Sequence, residues 1–244
     1  MENQFSRTEL LIGAEGLKRL NNAHVAVFGV GGVGGYAVEA LVRSGIGEID
    51  IFDNDTVSLT NLNRQIIAAG DTIGRYKVDV MAERAKSINP DITVNAYKCF
   101  YMPDNADEFD FTKYSYIIDA VDTVTAKLEI IVRANEANVP VISCMGAGNK
   151  LDATRFEVAD IYETSVCPLA RTIRRELRKR NIKKLNVVYS KEEALSPLKS
   201  ENTEVKGTAG RAVPGSMSYV PAVAGLIAAG YVINQISLNN IGGI

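Results

Sequence analysis

The chain has 244 residues, 46% of them apolar, with 27 Lys or Arg against 29 Asp or Glu and a formal net charge of −2. This is an ordinary soluble globular composition, long enough to bury a sizeable core as one large domain or a domain with an appendage. A polyanion-binding surface spread over the whole molecule is excluded: the one strongly basic stretch, Arg171 to Lys184, holds eight Lys or Arg against one Glu and leaves the remainder at about −9.

Ser6-Arg7-Thr8-Glu9 has the spacing of a capping box, and Leu10, Leu11, Leu17 and Leu20 give an apolar face, so an N-terminal helical arm is expected before the first strand. The stretch Val25-Ala26-Val27-Phe28-Gly29-Val30-Gly31-Gly32-Val33-Gly34-Gly35 then reads as a strand, a tight turn and a helix start. Gly29, Gly31 and Gly34 satisfy G-x-G-x-x-G, a spacing that lets backbone approach a phosphate and lets the helix sit tightly on the strand. Unpaired N–H groups and the helix dipole face an anion there. About twenty residues on, the strand Ile49–Phe52 ends in Asp53, placed to accept ribose hydroxyls.

Further along, helices are expected over about 32–44, 77–88 and 123–138, and strands over 48–53, 92–97, 116–119 and 140–144. Such alternation predicts an α/β, Rossmann-like, doubly wound and mostly parallel sheet, with its ligand beyond the carboxyl ends of the strands. The glycine turn, Asp53 and the segment Asp119 to Asp122 converge at that edge. Beyond Cys144 come shorter pieces: a strand over 155–160, a basic helix over 169–180 and a strand over 186–189, forming a smaller C-terminal extension of the sheet. Residues 190–218, rich in Ser, Glu, Lys, Gly and Pro, read as a mobile loop. The apolar run Val220 to Ile236 contains Pro221, two glycines, Asn234 and Gln235 and has no basic flank, which favours a buried helix over stable membrane insertion. Cys99, Cys144 and Cys167 form no close pair and follow no secretory signal peptide, which suits a reducing cytoplasm.

Between Asp53 and the next helix lie Asp53-Asn54-Asp55-Thr56-Val57-Ser58-Leu59-Thr60-Asn61-Leu62-Asn63-Arg64-Gln65 and Gly74-Arg75-Tyr76-Lys77. Hydride transfer to a nicotinamide has no use for this cluster of acids, amides and cations. Attack of a carboxylate on the α-phosphate of ATP does, because charge grows on the phosphoryl oxygens and on the departing pyrophosphate, where Arg, Lys and Mg²⁺ stabilise it.

These motifs, with Asn89-Pro90 and Asp119-Ala120-Val121-Asp122, resemble the adenylation domain of the ubiquitin-activating-enzyme superfamily over about residues 5–160. Ser143 to Lys150, Thr164 to Ala170, Arg174-Arg175-Glu176-Leu177-Arg178, Val187 to Ser190 and Pro214 to Pro221 are similar to its tRNA threonylcarbamoyladenosine dehydratase branch. The resemblance then covers nearly the whole chain, read as a single adenylating domain over 1–244 with a core at 22–150 and a substrate- and RNA-facing part at 151–244.

The resemblance implies a role for each matching position. Gly32 and the turn around it contact phosphates, Asp53 the ribose, and Asn61, Arg64, Gln65 and Lys77 the polyphosphate beside Asp55, while Asp122 binds Mg²⁺. Arg7 matches an arginine that reaches the partner subunit's site, so a homodimer is implied. A monovalent cation and a docking sulfur-transfer protein are left open. Arg171, Arg174, Arg175 and Arg178 recur at three- and four-residue spacing and offer a face to tRNA phosphates. Structural zinc is not expected, since Cys167-Pro168-Leu169-Ala170 supplies one thiol where two C-x-x-C pairs would be needed. Two rivals are an activator of a sulfur-carrier protein ending in Gly-Gly and a dinucleotide-binding oxidoreductase or regulatory module.

Overall fold

A computed structural model describes residues 3–198 and 214–238. Seven strands form one sheet: β1 (His24–Phe28), β2 (Glu48–Phe52), β3 (Thr93–Tyr97), β4 (Tyr116–Asp119), β5 (Val141–Cys144), β6 (Phe156–Asp160) and β7 (Asn186–Ser190). Their order is β3-β2-β1-β4-β5-β7-β6, parallel throughout except for β6, which runs antiparallel to β7 at the edge. The expected doubly wound sheet and its C-terminal extension are both present. The order reverses between β1 and β4, which are paired neighbours. The crevice outside their carboxyl ends is the switch point where such sheets take ligands.

Strand alternation sorts the core into two faces. Val25, Val27, Ile49, Ile51 and Ile118 face a cluster with α2 (Gly34–Ser44), α3 (Lys77–Ile88) and α6 (Tyr219–Ser237). Ala26, Phe28, Phe52 and Ile117 face the other side, where α4 (Val124–Glu136) supplies Ile130 and Ala134. The connection from β3 to β4 holds no α-helix; Tyr101, Phe109, Phe111 and Tyr114 cover that face instead, with Phe52 stacked between Phe28 and Tyr97. A third cluster packs α5 (Pro168–Lys179) and α4 against β7.

Near the amino ends of the strands, Asp50 is completely buried within β2. Burial would raise its carboxyl, but hydrogen bonds from His24, Lys113, Asn95 and Tyr114 outweigh it and hold the group far below the usual carboxylate range.

The apolar run near the C-terminus is a core helix. Among the described residues, α6 alone is long and apolar enough to cross a membrane, yet Val220, Ala224, Ala228 and Val232 are buried with Val30, Ala37 and Leu41.

The N-terminal arm is α1 (Ser6–Asn21), broken at Gly13, where φ is 71° and ψ 170°. The expected capping box does not form: Phe5 occupies the cap and Ser6 Oγ instead accepts from the Asn3 N–H. The expected apolar face divides at the same kink. Leu20 is buried, whereas Leu10 and Leu11 are 86% and 88% exposed. Of the loop expected over 190–218, residues 199–213 lie outside the described residues.

Among the described residues, one of the two tightest backbone approaches joins α2 to the end of β1; the other sets Gly47 against Asn21. A Cβ on Gly34 would lie 1.8 Å from the Gly29 carbonyl oxygen, and the obstructing atom is backbone. Gly34→Ala is expected to destabilise the protein by about 3 kcal/mol, or roughly 6 to 12 °C in Tm for a chain this long. Gly70→Ala, where a Cβ meets nothing within 4 Å, should leave Tm unchanged. Equal melting of the two variants would contradict this packing.

Candidate active site

Three loops meet where β1, β2 and β4 end. Each ladder is extended by one residue: the Gly29 N–H donates to the Phe52 carbonyl and the Ala120 N–H to the Phe28 carbonyl, both at 2.8 Å. Gly29 has φ 87°, and a Cβ there would sit 2.8 Å from the Ala120 carbonyl oxygen. The glycine turn is therefore wedged against the loop that carries Asp122.

Asp53 holds this turn to β2. Its Oδ2 accepts from the Val30 N–H at 2.8 Å and its Oδ1 from the Asp55 N–H at 2.9 Å. Each oxygen keeps a further lone pair, so the carboxylate can still accept a hydroxyl. Burial raises the Asp53 carboxyl, with the Lys77 charge and the two amide donors pulling the other way.

Lys77 opens α3 and is brought back to the strand ends by backbone pairing. The Val57 N–H donates to Arg75, Gly74 to Val57 and Lys77 to Asp55, around a bridge between Thr56 and Tyr76. Lys77 Nζ lies 2.6 Å from Asp55 Oδ2 and 3.9 Å from Asp53 Oδ1. The Lys77 side chain is 7% exposed and that of Asp55 62%. A buried ammonium thus faces a carboxylate still largely in water, an arrangement that an incoming anion can exchange cheaply.

The segment 58–65 forms a turn in which the Arg64 and Gln65 N–H groups both donate to the Asn61 carbonyl. Asn61 Oδ1 accepts from the Ser58 N–H at 3.0 Å and fixes the start of that turn. Arg64 Cγ would lie 3.5 Å from a Cβ on Gly32, and Gln65 Nε2 3.8 Å from one on Gly31. Arg64 Nη1 donates to the Thr60 carbonyl and to Asn63 Oδ1, and no carboxylate pairs with it among the described residues. Gln65 Oε1 is buried without a hydrogen-bond partner. A guanidinium with no carboxylate partner and the Gln65 amide nitrogen, both beside half-buried glycines, fit a nucleotide polyphosphate.

Pro221, at the start of α6, also packs on Gly32, with its Cβ and Cγ 3.3 Å from the place a Cβ would take. Ser216, just before that helix, accepts from Asn63 Nδ2 at 2.9 Å. Asn149 joins the same region: its N–H and Oδ1 both pair with Gly215, and its carbonyl accepts from the Leu195 N–H. Asn149 takes a φ of 58°, a left-handed conformation that asparagine adopts more readily than most residues. The contacts of Pro221 and Asn149 were not legible in the sequence, where Gly148-Asn149 marks only a local turn.

Asp122 is exposed, and its Oδ1 accepts only a long hydrogen bond, at 3.4 Å, from the Thr123 hydroxyl among the described residues. A free carboxylate oxygen is a suitable ligand for a hard cation such as Mg²⁺. Arg7 lies exposed in the first turn of α1 and is not brought to this cradle by any contact of the described residues.

The basic helix α5 starts near the same edge. Cys167, just ahead of it, packs in the cluster that holds Met145 and Tyr189 at the ends of β5 and β7, while the far end of the helix leads through Leu185 to the start of β7. Arg171 and Arg175 are exposed, and Arg178 lies 5.5 Å over the Tyr162 ring. Arg174 differs from expectation. Its Nη1 donates to the carbonyls of Ile161 and Thr164 and to Thr164 Oγ1, so it clamps the preceding turn instead of facing outward.

One group was missed altogether. Asp119 and Lys127 form a completely buried ion pair at 2.8 Å beneath the Asp122 loop.

The ThiF family matches residues 5–241. A tRNA threonylcarbamoyladenosine dehydratase of Bacillus subtilis (strain 168) is 45% identical over 239 residues, covering 96% of this chain and 94% of that protein. The crystal structure of the Escherichia coli tRNA N6-threonylcarbamoyladenosine dehydratase TcdA in complex with ATP superposes with a TM-score of 0.86 at 33% identity, covering 98% of this chain and 95% of that one. The adenylyltransferase and sulfurtransferase UBA4 of Vanderwaltozyma polyspora is 35% identical over only 138 residues, 57% of this chain and 31% of that protein. With glycine cradle, cationic turn and full-length similarity in agreement, this chain belongs to the ThiF family, in its tRNA threonylcarbamoyladenosine dehydratase branch.

Proposed function

We propose that this chain is an ATP-dependent tRNA threonylcarbamoyladenosine dehydratase. It adenylates the free carboxylate of the threonylcarbamoyl group, and the activated group cyclises. The observation that carries the reading is the gathering of Arg64 and Gln65 beside the glycine turn, with Lys77 next to the Asp53 carboxylate that holds that turn.

A carboxylate oxygen of the substrate attacks the α-phosphorus of ATP and pyrophosphate leaves. Backbone N–H groups of the turn at Gly31 and Gly32, the Gln65 amide and the cations Arg64 and Lys77 stabilise the charge that develops on the phosphates. Asp53 orients the ribose. Asn61 holds the turn that presents Arg64 and Gln65. Asp122 is the carboxylate suited to Mg²⁺, which when bound neutralises phosphoryl charge. In the second step a nitrogen or oxygen of the carbamoyl group attacks the acyl carbon, AMP departs with the former carboxylate oxygen, and a proton is lost. The net change is removal of one water. Tethering of the attacking atom supplies the effective concentration, so no enzymic nucleophile is required.

The tRNA lies along α5, with Arg171 and Arg175 as its exposed phosphate contacts and Arg178 stacked beside them on Tyr162. Arg7 on the exposed arm reaches the cradle of a partner subunit in a homodimer. The whole chain works as one adenylating unit in the cytoplasm, with residues 151–244 on its RNA side.

Two outcomes are expected. Nucleoside mass spectrometry after incubating modified tRNA with protein, ATP and Mg²⁺ should show the modified adenosine lighter by one water. Arg64→Ala and Asp122→Ala should each lower kcat/KM by about 10²- to 10³-fold with Tm retained. Full activity in either variant, or pyrophosphate exchange that depends on a carrier protein and ignores tRNA, would overturn the reading. Secondly, burial pushes the Cys144 thiol up to about 12, so its thiolate is roughly one part in 10⁴ at pH 8. Cys144 should resist alkylation until the protein unfolds, and Cys167→Ser, at a buried packing position, should keep its activity. Rapid alkylation of Cys144 in the folded protein would contradict this.

A further inference from the structure

The buried pair beneath the Asp122 loop has more contacts than an isolated ion pair. Lys127 Nζ donates to Asp119 Oδ2 at 2.8 Å, to the Cys144 carbonyl at 2.9 Å and to Ser143 Oγ at 3.3 Å. Ser143 Oγ donates to the same Asp119 oxygen. Asp119 Oδ1 accepts from the Val121 N–H at 3.2 Å. All three ammonium donors and both carboxylate oxygens are therefore engaged, and all three side chains are completely buried.

As a source of stability such a network is a poor investment of two charges, because apolar side chains of the same volume commonly do as well. Its position supplies a different reason. Asp119 ends β4, and the Lys127 N–H donates to the Thr123 carbonyl in the first turn of α4. The segment Ala120 to Thr123 is thus tied at Val121 to one member of the pair and at Thr123 to the other. Its Ala120 carbonyl abuts Gly29. Only Asp122, at the crest, is left exposed.

We propose that Asp119 and Lys127 are positioning residues: their buried pair, with Ser143, sets the height and direction of the Asp122 loop so that its carboxylate meets the metal that accompanies ATP. This rests on the reading of the cradle as an ATP site. Partners behind a metal-holding carboxylate typically tune metal affinity about 10- to 100-fold, which separates this role from a purely structural one.

The test is ATP binding to the full chain by calorimetry, in EDTA and across a Mg²⁺ titration. The wild type, Asp122→Asn and the double variant Asp119→Asn/Lys127→Met, which removes both charges together, are compared. The double variant should melt cooperatively near the wild type and bind ATP equally in EDTA. Its Mg²⁺ midpoint should rise about 10- to 100-fold, towards that of Asp122→Asn. A folded double variant with the wild-type midpoint would overturn the inference. Should that variant fail to fold, Ser143→Ala, which removes one donor and keeps the ion pair, should raise the midpoint several-fold, and an unchanged midpoint would overturn the inference equally. Absence of ATP binding in the wild type would overturn the reading of the cradle, and this inference with it.

Discussion

The site depends on a contact too close for any side chain: the Gly34 α-carbon rests on the Gly29 carbonyl. That approach seats the N-terminal end of α2 at the carboxyl edge of β1, so its unpaired N–H groups point into the crevice. Gly29 is in turn pressed against Ala120, which places the β4 loop at the opposite wall. With β1 and β4 paired at the point where strand order reverses, one packing constraint fixes the cradle and the loop carrying Asp122.

Around that cradle the chain divides its charges by task. Carboxylates that shape backbone are withdrawn from water: the half-buried Asp53 takes amides from the glycine turn and from Asp55, and the buried Asp119 takes one from Val121. Asp122 stays in water, where it remains available as a ligand. The cations differ in the same way. Lys127 is consumed by internal partners, whereas Lys77 has its close contact with the exposed Asp55 and only a longer one, at 3.9 Å, with Asp53, and Arg64 pairs with no carboxylate among the described residues. Free positive charge is thus concentrated where a triphosphate would need it, in a protein of slight negative net charge.

Most of the fold was legible because its signals are local. Strand and helix patterning gave boundaries within one or two residues for α3 and β4, the uncharged apolar run did so for α6, and the glycine spacing announced the turn. The 58–65 turn could be read as a cationic cluster, although its mechanism, Arg64 and Gln65 sharing the Asn61 carbonyl, could not. What failed depends on distant partners. Ser6 matched a capping box, but the local bond from Asn3 won its hydroxyl, and the break at Gly13 parted Leu10 and Leu11 from the core. Arg174 shares a helical face with Arg171, but carbonyls of the preceding turn claim its guanidinium. Asp119 and Lys127 are eight residues apart across a strand-to-helix turn, a separation with no meaning until the turn is folded.

The central claim is that this cradle directs a substrate carboxylate onto the α-phosphorus of ATP. The most direct measurement follows oxygen. Threonylcarbamoyladenosine tRNA carrying ¹⁸O in both carboxylate positions is turned over with ATP and Mg²⁺, and the AMP and cyclic product are analysed by mass spectrometry. Carboxylate adenylation predicts one ¹⁸O in the AMP and one retained in the product. AMP without label would contradict the account.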